Sequence, residues 1–330
     1  MTMFDFLRQE YAAARLRAMK GELLGRGRFL KLVGANSVHE IANLLEGTDY
    51  ESVFYHTLGK DITVIENELD KLYVKLLEKI KGFYYGKEKC ILDVFLEEWI
   101  LKNLKLMVRS LLGGERFDEF FIPVGEFDVE GLRRSGSMEE FIGKLKGTDY
   151  YEPVYSGYRK LENFGPHIID FYLEEWYARM FLNIIEGMKE KEILLSYLKT
   201  RNDFLNLRNI YRSIAFKKDL SEFFLQPSHV RREWFRLGSV EVFLEKLRSL
   251  KYDLGGMTEL EDDIFFEIAL GRNLERMVER FLNVSPFDTG LLLYFLVRKR
   301  NEINRIKVIT RFVVEGLDRR MLKGLLWLGE

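Results

Sequence analysis

A single cysteine, Cys90, five prolines and no long apolar run set the first limits on this 330-residue chain. One cysteine leaves no partner for an internal disulfide and no cysteine-based zinc cage, which suits a reducing compartment. The longest uninterrupted apolar stretch, 291–297, is seven residues long, where a membrane-spanning helix needs about 20. The start, MTMFDFLRQEYAAARLRAMK, lacks a continuous apolar segment followed by a small-residue cleavage site and does not read as a secretory signal. An excess of one charge is missing too. Lys plus Arg total 51 against 52 for Asp plus Glu, which excludes a general polyanion binder and leaves any electrostatic partner to be met locally.

Catalytic signals are equally sparse. His39, His56, His167 and His229 stand singly, without the i, i+4 spacing of a helical metal site. No glycine-rich loop runs into Lys and Ser or Thr, so no nucleotide cradle is expected, and no cofactor is called for. The doublets Glu97–Glu98 and Glu174–Glu175 diverge by about 100° on a helix and cannot make a paired-carboxylate acid/base site. Cys90 has no sequence-local histidine and reads as an inert thiol.

What is present is helix. Between the prolines, apolar residues recur at three and four. Ile62, Ile65, Leu69, Leu72, Tyr73, Leu76, Leu77 and Ile80 form one stripe, with acids and lysines filling the gaps, which predicts an amphipathic helix. Over 168–188 the apolar residues wrap more than half the circumference and predict a largely buried helix. A helix over 96–112 is expected to stop at Gly113–Gly114. The fold class is all-α.

The chain also repeats itself. SVHEIANLLEGTDY (37–50), SMEEFIGKLKGTDY (137–150) and SVEVFLEKLRSLKY (239–252) share a leading serine, apolar residues four and eight positions on, and a final tyrosine. Ser37 with Glu40 and Ser137 with Glu140 are capping boxes, whereas Val242 replaces the glutamate in the third copy. Gly47 and Gly147 suit helix exits. A second landmark keeps the same period: Asn103, Leu104, Lys105, Arg109; Asn206, Leu207, Arg208, Arg212; and Arg305, Ile306, Lys307, Arg311, the third without the asparagine. Each copy places two cations on one helix face. Offsets of 100 and 102 residues are too long for a single helix pair of a solenoid. They predict three helical units, 1–119, 120–222 and 223–330, able to close around an axis or to form an open solenoid.

These motifs, with the opening Tyr11, Ala14, Arg15, Leu16, Arg17, Leu23 and Leu24, carry a resemblance over essentially the whole length. The chain resembles the C subunits of the A-type/V-type ATP synthases, the family that includes the d subunit of the eukaryotic V-ATPase. That resemblance implies a funnel of three similar helical bundles around a pseudo-threefold axis, with no catalytic centre. It further implies a socket joining the soluble rotor shaft to the membrane proteolipid ring, peripheral on the cytoplasmic face, with no nucleic-acid partner.

Charge is uneven along the chain. The stretches 298–323 and 8–31 carry net +6 and +5, and compensating acid lies in 115–130 and 259–267. The repeated pairs Lys105 with Arg109, Arg208 with Arg212 and Lys307 with Arg311 are candidates to line or buttress the concave face that holds the shaft. The competing reading is structural: pairing with acids between helices, or a solvated face. Tyr50, Tyr150 and Tyr252 are expected to pack with buried rings and wet hydroxyls rather than to anchor a partner. Aromatic loops at 117–127 and 223–226 are candidate ring contacts. The alternative of another class is a helical-repeat adaptor for a different protein or for RNA.

Overall fold

The computed structural model describes residues 3–114, 120–253, 263–282 and 289–317, with Leu322 and Leu326. Among the described residues the architecture is all-helical, with no strand. Three pairs of long helices dominate: α5 (Ile62–Lys81) with α6 (Lys87–Gly113), α11 (His167–Glu186) with α12 (Lys191–Ala215), and α14 (Asp263–Leu282) with α15 (Thr289–Glu315). Each long helix packs on the next one in the chain, and α15 returns to pack on α5. The first and last of these long helices are thereby packed against each other. α1 (Met3–Gly21) also lies against α15.

Ahead of each long pair comes a short serine-capped helix: α3 (Val38–Leu44), α8 (Met138–Leu145) and α13 (Val240–Ser249). Ser37, Ser137 and Ser239 accept from the amides of Glu40, Glu140 and Val242 at 3.2, 3.2 and 3.4 Å. In the first two copies the glutamate reaches one residue further back than a capping box requires. Its carboxylate accepts from the amide of Asn36 (2.6 Å) or Gly136 (2.8 Å), not from that of the serine. The exits match as well. Gly47 and Gly147 take φ of +74° and +86°, a region that costs glycine little. Each is followed by a threonine whose hydroxyl donates to Leu45 O (2.5 Å) or Leu145 O (2.7 Å).

These capped helices dock backwards. α3 packs on α15, α8 on α6 and α13 on α12, so each sits on the last long helix of the preceding sequence repeat. Around the C-terminal half of α12 this docking builds a separate apolar core of Phe204, Leu207, Ile210, Trp234, Phe243 and Phe266.

The predicted stripe of α5 is buried at Ile65, Leu69, Tyr73, Leu77 and Ile80, but Asn67 and Asp70 are buried with it. α11 buries Ile168, Ile169, Leu173, Tyr177, Phe181 and Ile185, while Phe171, Tyr172, Trp176, Met180 and Ile184 flank the core half-buried. The helix expected from 96 begins nine residues earlier, at Lys87, and ends as expected: Gly114 takes φ of +72° and its amide donates to Ser110 O at 3.0 Å. No described helix is long and apolar enough to cross a membrane.

Candidate functional site

Asn103 and Asn206 show why the second landmark repeats. Both are fully buried on their helices, and each holds the backbone of a residue 19 positions on through both amide atoms. Asn103 donates to Ile122 O (2.7 Å) and accepts from Ile122 N (3.0 Å); Asn206 donates to Leu225 O (2.9 Å) and accepts from Leu225 N (2.8 Å). A buried, extended backbone must have its polar groups satisfied, and one carboxamide does so completely. These clamps lie in the two aromatic segments put forward as ring contacts, where Phe121, Phe223, Phe224 and Leu225 are buried in the core and Phe120 and Phe127 are half-buried. Residues 117–119 lie outside the described set. Arg305 stands where the third asparagine would, and pairs with buried Glu275 at 2.9 Å instead.

Five positions before Asn103, Asn206 and Arg305 stand Glu98, Arg201 and Arg300. The three meet. Arg201 Nε donates to Glu98 Oε1 at 3.1 Å, and Arg300 Nη1 donates to Glu98 Oε2. Tyr177 OH adds a third bond to Glu98 at 3.0 Å. Arg201 also pairs with Glu174 at 2.7 Å, so the two glutamate doublets, unsuited to acid/base work, each send one carboxylate to a shared guanidinium. Burial alone would raise the pKa of Glu98; Arg300 and Arg201 outweigh it and hold the group below its usual range.

The repeated basic pairs extend this network. Lys105 pairs with Glu174, and Arg109 Nη2 lies 3.1 Å from Asp170 Oδ2 on α11. Lys307 pairs with Asp70 on α5, and Arg311 makes a two-pronged contact with Glu66 at 3.0 and 2.6 Å. In the second copy Arg208 stands 4.6 Å from the centre of the Phe266 ring on α14, with Arg212 half-buried four residues on. The first and third copies thus bridge from one long helix to the next by an i, i+4 pair of cations against an i, i+4 pair of acids. Against burial, Arg201 and Lys105 hold the Glu174 carboxyl down to about 2, and Lys307 with Lys102 keep Asp70 low. Lys105, Arg109 and Lys307 also line a cavity of about 290 Å³ where α6, α12 and α15 converge. Sequence reasoning found the cations but not their partners, although Glu66 with Asp70 and Asp170 with Glu174 are acid pairs repeated at an offset of 104 residues, a signal that would have pointed to them.

The tyrosines are structural latches. Tyr50 OH donates to Glu302 on α15 at 2.5 Å, Tyr150 OH to Glu97 on α6 at 2.5 Å, and Tyr252 OH to Asp203 on α12. Each reaches the last long helix of the preceding repeat, and their hydroxyls are bonded rather than wet. Asp203 also accepts from the amides of His229 (2.7 Å) and Val230 (3.1 Å), and His229 Nδ1 lies 2.7 Å from its other oxygen. That contact places His229 at a loop-holding carboxylate. Among the described residues no group of three His, Cys, Asp or Glu is arranged to hold a metal.

Glu97 differs from the other two tyrosine acceptors. Glu302 has Lys299 at 2.9 Å and Asp203 has its amides, whereas Tyr150 is the only hydrogen-bond partner of Glu97 among the described residues. Burial, helped by Asp149 and Asp93, outweighs the tyrosine bond and raises its carboxyl from 4.5 to about 7. The folded state therefore holds a proton that the unfolded chain releases between pH 4.5 and 7, and its stability falls as pH rises through that window. Glu97→Gln is expected to leave stability unchanged near pH 4.5 and to raise it above pH 7.5, by on the order of 2 kcal/mol. Urea unfolding at the two pH values checks this; an equal difference at both would show that ionisation is not involved.

Repeated helices packed on a continuous apolar core and bridged by interhelical ion pairs define an all-helical scaffold protein. The chain belongs to the ATP synthase (C/AC39) subunit family, whose model matches residues 12–325. It is similar to the C subunit of the A-type ATP synthase of Thermococcus kodakarensis, 24% identical with 97% of this chain and 91% of that protein covered. The C subunits of the A-type ATP synthases of Methanocaldococcus jannaschii (26%; 98% and 87% covered) and Haloferax volcanii (25%; 94% of each) are similar as well. The chain is therefore an accessory, non-catalytic subunit of an ATP synthase.

Proposed function

We propose that this protein is the socket of the central stalk in a rotary A/V-type ATP synthase, gripping the soluble rotor shaft on one side and the membrane proteolipid ring on the other. It sits peripherally on the cytoplasmic face and passes torque between ATP synthesis or hydrolysis and the transport of protons or sodium. Three units, 1–119, 120–222 and 223–330, surround a pseudo-threefold axis as a funnel. The meeting of Glu98, Arg201 and Arg300, equivalent positions of the three copies, is the observation that carries this reading. Equivalent residues of three repeats come together when the repeats are related by rotation, not when they are stacked in a line. The backward reach of all three tyrosines supports the same cyclic order.

In this role the basic pairs Lys105 and Arg109, Arg208 and Arg212, and Lys307 and Arg311 buttress the concave wall. A torque-bearing socket needs walls that do not shear, and ion pairs with well-defined geometry resist sliding of one helix past another. Immobilised chain is expected to capture both the purified shaft subunit and the proteolipid ring; failure to hold either one overturns the socket. Reversing Lys105 and Arg109 together is expected to weaken shaft capture about tenfold at low salt. Unchanged capture with unchanged helicity would remove the buttressing role.

A further inference from the structure

The charged centre is not neutral. Lys102 joins Lys307 on Asp70, Arg201 and Arg300 share Glu98, and Lys105 joins Arg201 on Glu174. Five cations are thus divided among three carboxylates. All eight groups line the 290 Å³ cavity. The carboxylates are at least 87% buried, so water screens the imbalance poorly. Arg109 adds a sixth cation at the wall, already matched by Asp170, while Glu267 lines the cavity from an exposed position. Arg201 is also left with one guanidinium nitrogen, Nη1, that is buried and has no hydrogen-bond partner.

Counting Glu267, the five cations face four carboxylates, three of them buried, and a positive excess beside buried groups is costly unless an anion or solvent offsets it. The cations are also reachable from the cavity. The side chains of Lys102, Arg300 and Arg109 are 47%, 38% and 54% exposed. The volume lies just below the range of about 300–1,000 Å³ that drug-sized ligands occupy, which points to a small ion rather than a nucleotide.

We propose that this cavity is a binding site for a small oxyanion of the phosphate or sulfate class, held by Lys102, Arg300 and Arg109 over the buried carboxylate network. Guanidinium and ammonium groups converging on a tetrahedral anion make short, charge-assisted hydrogen bonds, and the anion offsets the excess positive charge of the lining. The site goes beyond the socket reading and does not depend on it.

The test titrates the full chain with inorganic phosphate at constant ionic strength set by sodium chloride, following the thermal midpoint and tryptophan fluorescence. The Lys102 ammonium lies 4.7 Å from the centre of the Trp99 ring, so drawing that lysine onto an anion changes the indole's surroundings. The expected result is a saturable fluorescence change and a rise in midpoint, reproduced by sulfate and not by chloride. Trp99→Phe should lose the fluorescence response while keeping the midpoint rise. Lys102→Gln should weaken the apparent affinity about tenfold, and Lys144→Gln on α8, remote from the cavity, should leave it unchanged. If Lys102→Gln does not fold, Arg109→Gln repeats the comparison outside the buried network. No saturable response at matched ionic strength, or the same response in cavity and remote variants, overturns the proposal.

Discussion

Glu98→Gln is expected to destabilise the protein by on the order of 3 kcal/mol, among the largest effects available to a single isosteric change in this chain. The carboxylate is 7% exposed and carries bonds from Arg201, Arg300 and Tyr177 at once. Removing its charge leaves Arg201 with Glu174 but takes from Arg300 its only ion pair among the described residues. An uncompensated guanidinium in this setting costs far more than a surface ion pair contributes. The double change Glu98→Leu with Arg300→Met should recover most of the loss, because a buried pair replaced by apolar groups of similar size is often neutral. Urea midpoints of the single and double variants test this; a single variant as stable as the parent would show that the centre does not hold these helices together.

Asn206→Ala is expected to cost about 3 kcal/mol, from two backbone groups of Leu225 left buried without partners at roughly 1–3 kcal/mol each, less whatever relaxation recovers. Asn103→Ala should behave alike through Ile122, since the two clamps share both geometry and the 19-residue reach. Native-state hydrogen exchange reads the effect locally: the Leu225 amide should lose protection in Asn206→Ala, and the Ile122 amide in Asn103→Ala. Asn→Asp at either site should rescue little, because a carboxylate cannot donate to the carbonyl. Full protection retained in the alanine variants would show that the surrounding core, not the asparagine, fixes these segments.

The same asparagines mark how far a linear reading carries. Their repeated spacing announced a function for the residue type, yet nothing nearby in the sequence names a partner 19 residues away in a loop of different composition. The aromatic loops misled for a related reason. A run such as 223–225 reads as exposed when its backbone is assumed to be solvated, and it is buried where a distant carboxamide satisfies the backbone of Leu225. At Glu98, Arg201 and Arg300 repetition hid the site rather than revealing it. Three like charges meeting at one point would repel, so the copies had to diverge there, and divergence erases the repeat signal that led to the neighbouring cations.

By itself the sequence determined the all-helical class, the three serine caps, the glycine exits of the first two, and the order of repeats that carries the family. All of these rest on contacts within about four residues, or on likeness between segments, and both are readable along a line. Only the tertiary structure decided that Lys307 meets Asp70, that Arg201 joins Glu98 to Glu174, and that Tyr50 reaches Glu302. Helical periodicity assigns each side chain to a face but not to a neighbour. Partners 27 to 252 residues apart are chosen by how whole helices pack, and that choice turned an apparently balanced composition into a charged centre.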